Sequence, residues 1–144
     1  MKSFIGLSLI ILSFFFLVKV LKLDSSIPLN PVKNPQYLLD IQTLDNTLIR
    51  SLFINKKRLI HFYASWCRPC QKELPSLLSY LKTHQDLKLA LLCLDNCPKI
   101  EGVDVFYLPN NLDITIPQSL YLDESNSVKW SHVGAYSWNN VNFL

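Results

Sequence analysis

Hydrophobic and polar positions divide the chain into one long apolar run followed by short segments of alternating or helical period. The run, Phe4 to Val18 (FIGLSLIILSFFFLV), carries no charge. As a helix its fifteen residues rise about 22 Å, short of a hydrocarbon core of roughly 30 Å. With Lys19 snorkelling to the interface, the span extends to Leu23. Residues 1–23 therefore read as a membrane anchor. A cleaved signal peptide is the competing reading, and the lack of a small-x-small site after the run weighs against it. Residues 24–35 (DSSIPLNPVKNP) hold three prolines and no apolar period, which predicts an extended linker.

Residues 36–144 follow a different pattern. Tyr37 to Ile54 reads as a strand, a turn at Asp45-Asn46 and a second short element. Arg58 to Tyr63 (RLIHFY) is a strand. Leu74, Leu77, Leu78 and Leu81 recur at i, i+3, i+4 and i+7, the buried face of a helix that begins near Cys67 and is kinked by Pro75. The nearly continuous apolar run Leu87 to Leu94 suits a strand covered on both faces. Val103 to Leu108 reads as a short strand, and Gln118–Leu122 and Val128–Val133 flank DESNS as a hairpin. Strand, helix, strand, hairpin is the order of one α/β domain with a mixed central sheet. Asp95 to Ile116 shows no helix, and Ser137 to Leu144 is too brief for a closing one, so the fold should be trimmed.

Charge removes one class of function. The net +3 comes from Lys2, Lys19, Lys22 and Lys33; from Gln36 onward ten Lys and Arg face ten Asp and Glu. A nucleic-acid binder would carry a basic face or stripe, and this domain has none. Lysines near the ends of the apolar run mildly favour a cytoplasmic C-terminal domain.

Candidate chemistry lies in the cysteines, which form two close pairs, Cys67/Cys70 and Cys93/Cys97. Cys67-Arg68-Pro69-Cys70 falls where a strand hands over to a helix. There the unpaired N–H groups and the helix dipole favour a thiolate at Cys67, and Arg68 adds positive charge. Pro69 fits the first turn because its missing N–H has no partner to lose. Cys70, one turn on, would resolve a mixed disulfide. The spacing C-x2-C, then C-x3-C, superficially spells a zinc site, but the second pair occupies an apolar strand and its exit without a knuckle glycine. Cys93 and Cys97 are open to three readings: independent thiols, a local disulfide or a second redox centre.

The string His61-Phe62-Tyr63-Ala64-Ser65-Trp66-Cys67-Arg68-Pro69-Cys70 resembles the thioredoxin active site. Trp66 to Leu77 (WCRPCQKELPSL) is similar to the membrane-anchored TlpA/ResA/CcmG-type reductases. The resemblance covers most of Gln36 to Gly134. It implies a thioredoxin-like fold and a thiol–disulfide oxidoreductase that reduces disulfides of extracytoplasmic proteins, apocytochrome c among them. It also implies a membrane electron donor, no cofactor or metal, and a single-pass protein of the bacterial inner membrane with its domain facing the periplasm, against the lysine count. An oxidant or isomerase of secreted proteins, or a peptide-binding accessory module, would use the same residues. By resemblance Ile116-Pro117, just before QSLYL, takes the place of a cis-proline opposite the CxxC, where the backbone of Ile116 meets substrate. Glu73 takes an acidic position that tunes the thiols, or is an ordinary first-turn Glu. His61 points beneath the disulfide and exchanges a proton with Cys70, or is a hydrogen-bonded core histidine. Trp66 shields the disulfide and offers a contact surface, or only packs. His84 and His132 read as surface or packing residues.

Overall fold

The computed structural model describes residues 34–140. The anchor expected at 1–23 and nearly all of the linker at 24–35 lie outside the described residues. Among the described residues, no helix is long and apolar enough to cross a membrane.

Five strands form one mixed sheet: β1 (Arg58–Tyr63), β2 (Lys88–Cys93), β3 (Asp104–Tyr107), β4 (Gln118–Leu122) and β5 (Val128–Val133), in the order β3-β2-β1-β4-β5. β1 runs parallel to β2, with Tyr63 opposite Cys93, and antiparallel to β4, with His61 opposite Ser119. β3 lies parallel to β2 and β5 antiparallel to β4. Both β1 and β2 are buried along nearly their whole length, because they are covered on two faces. On one face Leu59, Leu89, Leu91 and Tyr121 meet Leu74, Leu77 and Tyr80 of the long helix. On the other, Ile60, Phe62, Ala90, Leu92 and Leu120 meet Leu38, Leu39, Ile49 and Phe53.

The amino-terminal segment corrects one expectation. In place of a strand from Tyr37, Pro35–Asp40 forms a 3-10 helix and Ile49–Leu52 a single α turn, α1. Strand geometry would send Leu38 and Leu39 to opposite faces. Both must be buried, and a helical turn buries them together. Pro35 starts that turn and the Asn34 side chain caps it, accepting from the N–H of Gln36 at 3.1 Å. What remains of strand character is one bridge, Gln42 to Leu48, around a turn where Asn46 takes φ 63°. This segment covers the face left open by the expected lack of a helix between β3 and β4, where none forms.

The long helix, α2 (Arg68–Thr83), carries Pro75 inside it as expected. The hairpin β4–β5 turns on Asp123, whose Oδ1 accepts from the N–H groups of Ser125 at 2.9 Å and Ser127 at 3.1 Å. The Ser125 hydroxyl, which donates to the same oxygen at 2.6 Å, together with Lys129 and the Ser127 N–H, holds the Asp123 carboxyl well below the usual range. After β5, the described chain ends in a short 3-10 turn, Trp138–Asn140, whose Trp138 ring is buried in the core under α2.

Candidate active site

β1 ends at Tyr63, and the chain passes through Ala64, Ser65 and Trp66 before Cys67 opens α2 as its N-cap. The backbone of Cys67 is still extended there (φ −81°, ψ 96°), so its side chain folds over the first turn. Its Sγ accepts from the N–H of Cys70 at 3.2 Å, one of the donors that a helix start leaves without a backbone partner. Cys67 and Cys70 are joined in a disulfide with Cα atoms 5.3 Å apart. Cys70 is fully buried, Cys67 is 5% exposed, and Trp66 beside them is 67% exposed. Arg68 and Pro69 fill the first helical positions and face solvent.

Alternation along β1 places His61 on the same face as Leu59 and Tyr63, the face under α2 and the cysteines. The ring is fully buried. Nδ1 lies 2.9 Å from Ser119 Oγ on β4, and Nε2 has no hydrogen-bond partner. Burial pulls its pKa from 6.5 down to about 4, so the imidazole is neutral at physiological pH. Glu73 follows Cys70 by three residues on α2, a spacing that makes them neighbours on the helix surface. It is 4% exposed, and its Oε1 accepts from the indole Nε1 of Trp138 at 2.7 Å. Burial raises the Glu73 pKa above the ordinary carboxylate value, against the Trp138 bond, the Tyr136 backbone and His132, which lower it. Ile116 packs against the core that contains both cysteines. The Ile116–Pro117 peptide is cis, and buried Pro117 leads directly into β4. Extending the β1–β4 register by one step sets Pro117 beside Tyr63, the strand end nearest Cys67.

The geometry therefore gathers Cys67, Cys70, His61, Glu73 and Ile116-Pro117 on the α2 face at one end of the sheet. A cleft of about 400 Å³ opens beside them, lined by Arg68, Pro69, Lys72, Glu73, Tyr136 and Ser137. A larger groove, about 580 Å³, lies against Leu78, Leu81 and Ile100, with neither cysteine pair in its lining. Both unassigned histidines acquire partners: His84 stacks on Tyr80, and His132 lies against Trp130 and Tyr136. Cys93 and Cys97 form a disulfide, the second of their three open readings in its bonding. The sequence reading missed Trp138, Ser119 and Asp95, the last of which binds Ser65. Register signals Ser119, because a strand residue opposite a buried His is its natural partner. Trp138 and Asp95 carry no such local signal.

Comparison with known proteins agrees with the fold. A sequence model described as Thioredoxin matches residues 41–112. The chain is 30% identical over 99 residues to sporulation thiol-disulfide oxidoreductase A of Bacillus subtilis (strain 168), a match covering 55% of this chain. It spans about 60% of that relative's length. Among solved structures, a thiol:disulfide interchange protein DsbE from Chlorobium tepidum gives a TM-score of 0.52 at 18% identity, over 67% of this chain and 80% of that one. A thiol peroxidase from Chromobacterium violaceum gives 0.51 at 14% identity, over 72% and 75%. These two likenesses show the fold. One fold serving an interchange protein and a peroxidase leaves the reaction to be argued from the site.

Proposed function

The chain belongs to the thioredoxin family, and from that premise we propose that it is a thiol–disulfide oxidoreductase that reduces protein disulfides through the Cys67/Cys70 dithiol. The observation that carries the reading is the position of Cys67. Its sulfur caps a sixteen-residue helix and accepts a backbone N–H there, which stabilises a thiolate once the pair is reduced.

In the proposed cycle the Cys67 thiolate attacks a substrate disulfide. One new S–S bond forms, the substrate bond breaks, and the departing substrate sulfur takes a proton. The Cys70 thiol then gives up its proton and attacks Cys67 Sγ, releasing the substrate as a dithiol and leaving the Cys67–Cys70 disulfide seen here. A membrane electron donor returns two electrons to that disulfide. Glu73 is the better partner for the Cys70 proton, because its pKa is raised toward the thiol range while that of His61 is moved away from it. His61 is then a neutral core residue held by Ser119. Arg68 supports the thiolate, Pro69 keeps the first turn in place, Trp66 offers an exposed contact surface, and Ile116-Pro117 form the neighbouring wall for an extended substrate.

The resemblance to the TlpA/ResA/CcmG group extends the proposal to extracytoplasmic substrates, apocytochrome c among them, and to an inner-membrane protein anchored through residues 1–23. Two disulfides in one small domain support an oxidising compartment. The reduced protein should reduce insulin. Cys70→Ser should accumulate mixed disulfides with substrate, whereas Cys67→Ser should form none. Equal alkylation of the two thiols from about pH 5 to 8 would sink the assignment of Cys67 as nucleophile.

A further inference from the structure

The second disulfide lies beside the first, and one carboxylate connects them. β1 and β2 run parallel and end together, with Tyr63 opposite Cys93. The N–H of Leu94 donates to the carbonyl of Tyr63 at 3.0 Å, which carries the pairing one step past both strands. Beyond it, Asp95 turns toward the active-site loop. The N–H of Ser65 donates to Asp95 Oδ1 at 2.6 Å, and the Ser65 hydroxyl donates to Oδ2. The Gln71 side chain of α2 donates to the carbonyl of the same serine. Ser65 is thus held from both ends, two residues before the sulfur that caps α2. Hydrogen bonds to an ionised acceptor are roughly twice as strong as neutral ones, so Asp95 is the stronger of the two holds.

Asp95 in turn lies inside the ring closed by Cys93 and Cys97, whose Cα atoms are 6.0 Å apart. Cys93 is fully buried at the end of β2, and Cys97 is partly exposed. The ring pins the far side of the Leu94–Cys97 loop, so Asp95 meets Ser65 without first paying the entropy of ordering that loop. Hence we propose that Asp95 is a positioning residue for Cys67 and that the Cys93–Cys97 disulfide is a redox clasp that holds it in place. Opening the clasp slackens the active-site loop and weakens the thiolate at Cys67. The opening is a two-electron step: a dithiol reductant supplies two electrons and two protons through the accessible Cys97 sulfur and itself closes to a disulfide. The Cys93–Cys97 bond becomes two thiols.

This inference rests on Cys67/Cys70 being the redox pair, and one experiment separates the two claims. The full chain is equilibrated with glutathione buffers, and the fraction of reduced Cys67/Cys70 is read by alkylation and peptide mass spectrometry, which resolves the two pairs. Circular dichroism melting checks that each variant is folded. Cys93→Ala/Cys97→Ala should shift the equilibrium toward the Cys67–Cys70 disulfide roughly two- to fivefold, the range of a helix-terminus charge interaction, and slow Cys67 alkylation at neutral pH by a similar factor. Ser65→Ala, which keeps the clasp and loses only the hydroxyl bond, should shift it in the same direction by less. On an Asp95→Ala background, removing the clasp should add nothing, because the two act through one contact. If the wild-type pair does not exchange with glutathione at all, the redox reading itself fails and takes this inference with it. If it exchanges but Ser65→Ala and the clasp variant match wild type, or the clasp effect persists in full without Asp95, only this inference is overturned.

Discussion

Replacing Trp138 with Phe separates what its ring does by packing from what its N–H does to Glu73. The ring is 1% exposed and joins the core beneath α2, and its Nε1 donates to Glu73 Oε1 at 2.7 Å. Burial raises the Glu73 pKa, and the indole bond is the largest influence opposing that rise, ahead of the Tyr136 backbone and His132. Phe retains much of the apolar surface and loses the donor. A hydrogen bond to a charged acceptor contributes about 1.5–3 kcal/mol and one to a neutral acceptor about 0.5–1.5 kcal/mol. The packing loss is the same at every pH. Trp138→Phe should therefore cost up to roughly 1 kcal/mol more at about pH 8 than at about pH 4.5, because the ionised share of Glu73 grows as pH rises. The sign follows from proton binding. A folded-state pKa above the unfolded one means that the folded protein holds a proton the unfolded chain has released, so stability falls as pH rises from 4.5 through the raised value. Losing the indole bond raises that value further and deepens the fall. Urea denaturation of the disulfide-intact protein at the two pH values measures it, and in a Glu73→Gln background the pH dependence of the Trp138→Phe effect should vanish. Equal losses at both pH values in the Glu73 protein would refute the coupling.

His61 should act in the opposite direction. Its pKa is lowered from 6.5 to about 4, so the unfolded chain takes up a proton first and stability is lost as pH falls through that window. The effect is of the order of 3 kcal/mol at full extent; His61→Asn, which does not titrate, should flatten that acid slope in denaturation curves, and an unchanged slope would count against a neutral buried ring. For the membrane reading, the full-length protein should resist carbonate extraction, and protease added outside intact spheroplasts should reach the domain. A mature N-terminus within residues 20–35, or complete protection, would contradict the anchor or its orientation respectively.

Local pattern recovered the elements whose burial is regular. β1, β4 and β5 have the bounds expected from their apolar runs and from the turn residues between them, because a strand covered on both faces, or a hairpin around Asp123, writes its limits into adjacent residues. Leu38-Leu39 misled for the converse reason: two consecutive buried leucines carry neither period, and tertiary cover decided their geometry. The cysteine motif was legible because a helix start needs particular residues at particular places. Its supporting groups were harder to find. Trp138 lies 65 residues from Glu73, and Asp95 lies 30 from Ser65, so no window on the sequence contains either pair. The state of Cys93 and Cys97 stayed open for a related reason. Bridging depends on the distance between Cα atoms, and a spacing of four residues across a strand end permits it without requiring it.

Desolvation explains why the two buried ionisable groups near the disulfide carry opposite shifts: it disfavours the charged form of each, lowering the base His61 and raising the acid Glu73. His61 sits on a central strand, and its partner, Ser119, is a neutral hydroxyl from the next strand, so desolvation alone acts and the ring stays uncharged. Glu73 sits on α2 at the side where the chain ends its described course in a three-residue turn. There the Trp138 indole joins the core and, with the Tyr136 backbone, supplies hydrogen bonds to the buried carboxyl. Trp138 thus packs under α2 and also opposes the rise that burial imposes on the acid three residues after Cys70. Trp138→Leu, which keeps an apolar but smaller side chain and removes the donor, should push the Glu73 carboxyl toward its protonated form as strongly as Trp138→Phe does, with a larger loss of packing added to it.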